Sequence, residues 1–291
     1  MIVYGTLRVP YRPLTIGHML IRNRTVLSLW LLLSCVILLA ATVSAEDLRG
    51  TLVVVGRGPE RSTIEELAQA FEKAHLGTAV DIVWNRNIRL IEMLIDGKAD
   101  LAVSGREEHG LSASTIAWDG LAVIVNFSNP IKELTKEQVA SLFSGAIMDW
   151  SQLDEKADGK VQLVRRPDDQ NLTDGFERSL GIVGETAQHA EPIRSDQQVL
   201  SRVSGRLDAV GYLSMKAALD AVTYGTSVRV LLVNGNEPAT PTLQSGRYPL
   251  KRPVILLRKQ DAGALAQAFV DFSLSPAGQD ILGSQYVPLV R

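Results

Sequence analysis

Three short stretches bring together side chains able to hold an oxyanion. Arg61-Ser62-Thr63 follows a glycine-rich turn, Gly56-Arg57-Gly58-Pro59, and opens a helical pattern. A helix start leaves backbone N–H groups unpaired and carries the positive end of the helix dipole. Hydroxyls and a guanidinium placed there can surround a tetrahedral anion without any metal. The plainer reading of Ser62 is a helix cap. Ser104 and Arg106 stand just past the C-terminal end of a predicted strand, where open α/β sheets take ligands. Arg106 as a surface ion pair is the alternative. Arg166 offers a forked donor that can grip two oxygens at once, and Gln170, Asn171 and Leu172 follow it toward a helix carrying Phe176.

Other chemistries find no support in the spacing. His75, His109 and His189 are scattered, with no His-x-x-x-His or Glu-x-x-His pair for a metal. There is no Gly-x-Ser-x-Gly elbow. Gly56-Arg57-Gly58 lacks the lysine and the length of a nucleotide-binding loop, and Asp168-Asp169 reads as a pair of solvated loop acids. No catalytic residue, metal or cofactor is expected. Cys35, the only cysteine, sits in the first 45 residues, so the remainder holds neither a disulfide nor a thiolate metal site.

Positioning these groups requires alternating strands and helices. Thr51–Val55 (TLVVV) is a β-branched run of the kind buried on both sheet faces. Ile64, Leu67, Ala68 and Phe71 recur at helical spacing behind a start at Ser62 or Thr63, with Glu65 and Glu66 in the first turn. Strands are predicted at Val80–Val83, Asp100–Val103, Gly120–Phe127, Val161–Val164, Ala209–Tyr212, Val228–Val233 and Val254–Leu257. The intervening helices include Ile88–Ile95, Thr135–Phe143, Thr173–Leu180, Gln197–Val203 and Ala262–Ser273. Asn234–Tyr248, rich in Gly, Pro, Asn and Thr, reads as a loop. Such alternation predicts an α/β protein with mostly parallel sheets flanked by helices.

Residues 1–45 stand apart. They hold Arg8, Arg12, Arg22 and Arg24 and no acid, then an apolar run from Val26 to Ala41, then Val43-Ser44-Ala45. A basic segment, a short apolar segment and a small-x-small exit predict a secretory signal peptide. The run is short of the ~20 residues that cross a membrane. An uncleaved anchor, lipidation at Cys35 behind Leu32-Leu33-Ser34, and a true start at Met19 stay open. Without the leader the chain keeps 26 basic and 32 acidic residues, a net charge of −6 against −2 for the whole. That excess argues against nucleic acid as a partner, so an anionic ligand would need local donors.

Four segments in this order carry a family resemblance. They are the strand and Gly-rich turn into Ser62-Thr63; Ala99–Glu107 (ADLAVSGRE); Leu134–Trp150 (LTKEQVASLFSGAIMDW); and Gly211-Tyr212 with Tyr248–Pro253 (YPLKRP) and Ser275–Gln279 (SPAGQ). The chain resembles the phosphate-binding family of periplasmic solute-binding proteins over nearly all of residues 46–291. The resemblance implies a two-lobed fold, with one lobe of residues 46–125 plus 249–291 and the other of 126–248, closing on a ligand between them. It further implies a monomer that presents phosphate or a related oxyanion to the membrane permease of an ABC importer. Arg61, Ser62, Thr63, Ser104, Arg106, Arg166 and Asn171 form the implied ligand set. One departure stands out. The family has Ser-Gly-Thr between its arginine and phenylalanine, and this chain has Gln170-Asn171-Leu172, without either hydroxyl. A sensor or protein-docking receptor on the same fold is the alternative that this loss leaves open.

Overall fold

The computed structural model describes residues 48–167, 171–187 and 192–289. The predicted signal peptide, Asp168, Asp169, Gln170 and His189 lie outside the described residues.

The TLVVV run forms β1 (Gly50–Gly56), parallel to β2 (Thr78–Trp84) on one side and to β3 (Leu101–Ser104) on the other. Between β1 and β2 runs α1 (Arg61–Ala74), which buries Ile64, Leu67, Ala68 and Phe71, the predicted apolar stripe. Its start differs from the expectation. Arg61 is the first helical residue, Glu60 occupies the cap position without a side-chain cap bond, and Ser62 lies exposed in the first turn. The Glu60 carboxylate is drawn instead to Arg252.

A short α2 (Leu90–Ile95) leads to β3, and then comes β4 (Ser112–Asn126), the longest strand described. It begins well before the predicted Gly120 because its first half, SASTIAWD, is only partly buried and carries a weak apolar signal. β4 pairs antiparallel with β10 (Lys251–Arg258) as far as Gly120, and from Leu121 with β7 (Ala209–Ser214). One continuous strand thus serves both lobes. The strand order is β2-β1-β3-β10-β4-β7-β6, with β6 at Gln162–Val164. The sheet is mixed, with parallel ladders at its outer strands and antiparallel ones around the two crossing strands.

The second lobe adds α3 (Lys136–Ser144), α4 (Asn171–Leu180), α5 (Asp196–Ser204), α6 (Met215–Thr223) and α7 (Thr240–Gln244). The last lies inside the stretch read as a loop; Pro241 in its first turn is compatible with a helix start. Thr135 and Gln138 close a reciprocal capping box on α3. Its core centres on Phe176, which stacks on Tyr212 with ring centroids 3.9 Å apart, while Phe143 meets both edge-on. Back in the first lobe, α8 (Ala264–Leu274) and α9 (Pro276–Leu282) cover the sheet, with Phe269 against Phe71.

Candidate anion-binding site

Where β4 and β10 cross between the lobes, three charges are withdrawn from water. Arg252 and Glu60 are 0% exposed and Asp119 is 1% exposed. The Arg252 guanidinium donates through Nε and Nη2 to Asp119 Oδ2 at 3.0 and 2.8 Å, and through Nη1 to Glu60 Oε1 at 2.6 Å. Ser214 completes Asp119 by donating to Oδ1 at 2.6 Å. Burial pushes the Asp119 carboxyl above its ordinary range, with Arg252 opposing. For Arg252 burial acts downward, yet Glu60 and Asp119 hold it above the usual arginine value. Burial also raises the Tyr286 phenol, against a hydrogen bond with Thr63. Gly175 of α4 lets the second lobe rest on this group, since a Cβ there would lie 2.5 Å from Arg252 Cβ.

Beside the junction opens a cleft of about 390 Å³, lined by the β1–α1 turn, the segment after β2, the loop after β3 and the start of α4. Four arginines face it, Arg57, Arg86, Arg89 and Arg106, against the three carboxylates of Glu92, Glu108 and Asp174. Arg89 is paired with Glu92 at 3.1 Å and Arg106 with Glu108 at 2.6 Å. Arg57 and Arg86 have no ion pair or side-chain hydrogen bond among the described residues, and Arg57 Nε is buried without a partner. Charged donors left unpartnered are the chemistry that a bound anion would satisfy.

Of the residues singled out from sequence, Ser104, Arg106 and Asn171 come together in this cleft. The Ser104 hydroxyl closes a turn, donating to Arg106 O at 2.8 Å and accepting from Arg106 N at 3.2 Å. Asn171 Nδ2 donates across the lobes to Arg57 O at 3.1 Å. The other four are not among the residues that line it. Arg61 is exposed and paired with Glu65 at 2.7 Å, Ser62 is exposed, and Thr63 is buried beside the Tyr286 phenol. Arg166 is buried and donates to Asp196 Oδ1 at 2.7 Å. Sequence reasoning did not single out Arg57 and Arg86. Their signal was positional, since each stands just past the C-terminal end of a strand, β1 or β2, as Arg106 stands past β3.

A family model described as a PBP superfamily domain matches residues 41–277. The chain belongs to the PBP superfamily. It is 26% identical over 200 residues to the phosphate-binding protein PstS of Borreliella burgdorferi, covering 64% of this chain and 70% of that one. With PstS of Bacillus subtilis it shares 23% identity over 262 residues, 84% of this chain and 82% of the other. Among solved structures, an ABC-type phosphate transport receptor from Vibrio cholerae superposes with a TM-score of 0.72 at 24% identity, over 82% of this chain and all (100%) of that one. PstS from Borrelia burgdorferi gives 0.65 at 22% identity, over 84% and 100%. The two-lobed fold inferred from sequence is thereby shown. Among the described residues no helix is long and apolar enough to cross a membrane.

Proposed function

We propose that this protein is an exported, monomeric solute-binding protein that holds phosphate or a related oxyanion between its lobes and presents it to the permease of an ABC importer. The carrying observation is the cleft itself. Arg57 and Arg86 face it without acidic partners among the described residues, in a superfamily member whose relatives are named for phosphate binding. The overall charge disfavours anions, so this local excess of donors supplies the attraction. Both lobes contribute, as Asn171 and Asp174 reach the cleft from α4 while the arginines come from the other lobe. Closure of one lobe on the other would then complete the ligand's shell.

Thermal unfolding of the full chain in the presence of anions tests this reading. A ligand at a hundred times its Kd stabilises the folded state by about 2.7 kcal/mol. Phosphate is expected to raise the melting temperature by several degrees, and chloride at matched ionic strength to leave it unchanged. No shift with phosphate, sulfate, molybdate or tungstate would overturn the proposal.

A further inference from the structure

The corner of the cleft nearest the Gly58 turn is filled by the protein's own Asn171. Asn171 is buried, and the packing is close enough that a Cβ on Gly105 would touch Asn171 Cβ and its carbonyl oxygen, both at 3.4 Å. Its amide spans the gap to Arg57 O. Glu60 lies next to it. Measured from the point where a Cβ on Gly58 would stand, Glu60 Oε2 is 2.7 Å away and Asn171 Nδ2 is 3.7 Å away. That Oε2 is buried and has no hydrogen-bond partner among the described residues. An anion pressed into this corner would meet an amide already committed to a carbonyl and a carboxylate oxygen of its own sign.

The donors without a partner among the described residues are two guanidiniums. Arg57 and Arg86 come from the ends of two adjacent strands and border the same cleft, and Arg86 is exposed at its rim. The cleft's volume of about 390 Å³ falls in the range of small-molecule sites, roughly 300–1,000 Å³, of which a single tetrahedral anion would fill a small part. Two guanidiniums from adjacent strand ends in such a space suit a ligand with two anionic centres. We infer that the cleft takes a two-headed anion, a phosphoryl group joined by a short spacer to a second anionic group, held between Arg57 and Arg86 because Asn171, with the Glu60 carboxylate near it, closes the corner at the Gly58 turn. This inference rests on the anion-binding reading above and sharpens it to a ligand class.

Calorimetric titration of the full chain with orthophosphate, pyrophosphate and phosphoglycolate tests it. One further charge-assisted contact corresponds to about tenfold in affinity, so at least one two-headed anion is expected to bind about tenfold more tightly than orthophosphate. Whichever of the two prevails assigns the second group as phosphoryl or carboxylate. Arg86→Ala should collapse that ratio toward one, and Asn171→Gly, which empties the corner at the Gly58 turn, should narrow it by strengthening orthophosphate. Orthophosphate binding as tightly as both longer anions, with Arg86→Ala leaving the ratio unchanged, would overturn the inference while leaving the anion-binding function intact. Heat from none of the three would remove that function and the inference together.

Discussion

Two groups of arginines, one at the lobe junction and one in the cleft beside it, are treated in opposite ways. Arg252 is withdrawn from water and given two carboxylates, with Ser214 completing one of them. Arg57 and Arg86 stand at the cleft with none among the described residues. A buried charge without partners is costly, so Arg252 is tolerable only within its network. Arg86 in the cleft keeps water as its solvent, whereas Arg57 holds a buried Nε that a ligand can satisfy. Charge at the junction therefore fixes how the lobes meet, and charge in the cleft remains available to a ligand.

The sharpest way to break this contrast is at Arg252. Arg252→Met strands Glu60 and Asp119 in the interior and should cost about 3–5 kcal/mol of stability, read from urea unfolding. Adding Glu60→Gln and Asp119→Asn should recover most of it. A small loss in the single variant would mean that the network does not hold the junction. Gly175→Ala is next. Its Cβ would lie 2.5 Å from Arg252 Cβ, and overpacking of this kind costs roughly 1–3 kcal/mol.

Arg86→Ala should separate the two regions most cleanly. Its stability is expected to stay within about 0.5 kcal/mol of the parent, while anion affinity falls. Loss of stability there would show that Arg86 is structural after all. The smallest effect lies far from both regions. At the start of α3, a backbone hydrogen bond and the Thr135 hydroxyl hold Glu137 below the ordinary carboxylate value. A depressed folded value adds stability above the unfolded pKa of about 4.3, and that stability disappears as pH falls through the folded value. Glu137→Gln should flatten this slope in melts between about pH 5 and 3.

Elements of both lobes were legible where their signals are local. The TLVVV strand and the Ile64–Phe71 stripe of the first lobe and the Thr135 cap of the second each declare themselves within a few residues. The first half of β4 was not, since SASTIAWD owes its strand state to pairing with β10, more than a hundred residues away in sequence. The same limit applied at the site. Ser104, Arg106 and Asn171 could be placed by motif, and they share the cleft. Ser62 looked like a cap because serine commonly is one, but Glu60 precedes the helix and reaches for Arg252, a contact no local pattern encodes. Arg57 sat in a turn read for its glycines rather than for its arginine, and Arg86 in a stretch without a motif. Their lack of partners is a property of the folded surroundings.

Calorimetric titration of orthophosphate into the parent chain and into the Arg57→Ala/Arg86→Ala double variant tests the central claim most directly. Saturable binding by the parent, reduced by about a hundredfold or more when both donors are removed with the melting temperature little changed, is the predicted result. Equal binding by the two proteins, or none by either, would contradict the claim that the unpartnered arginines of this cleft hold the ligand.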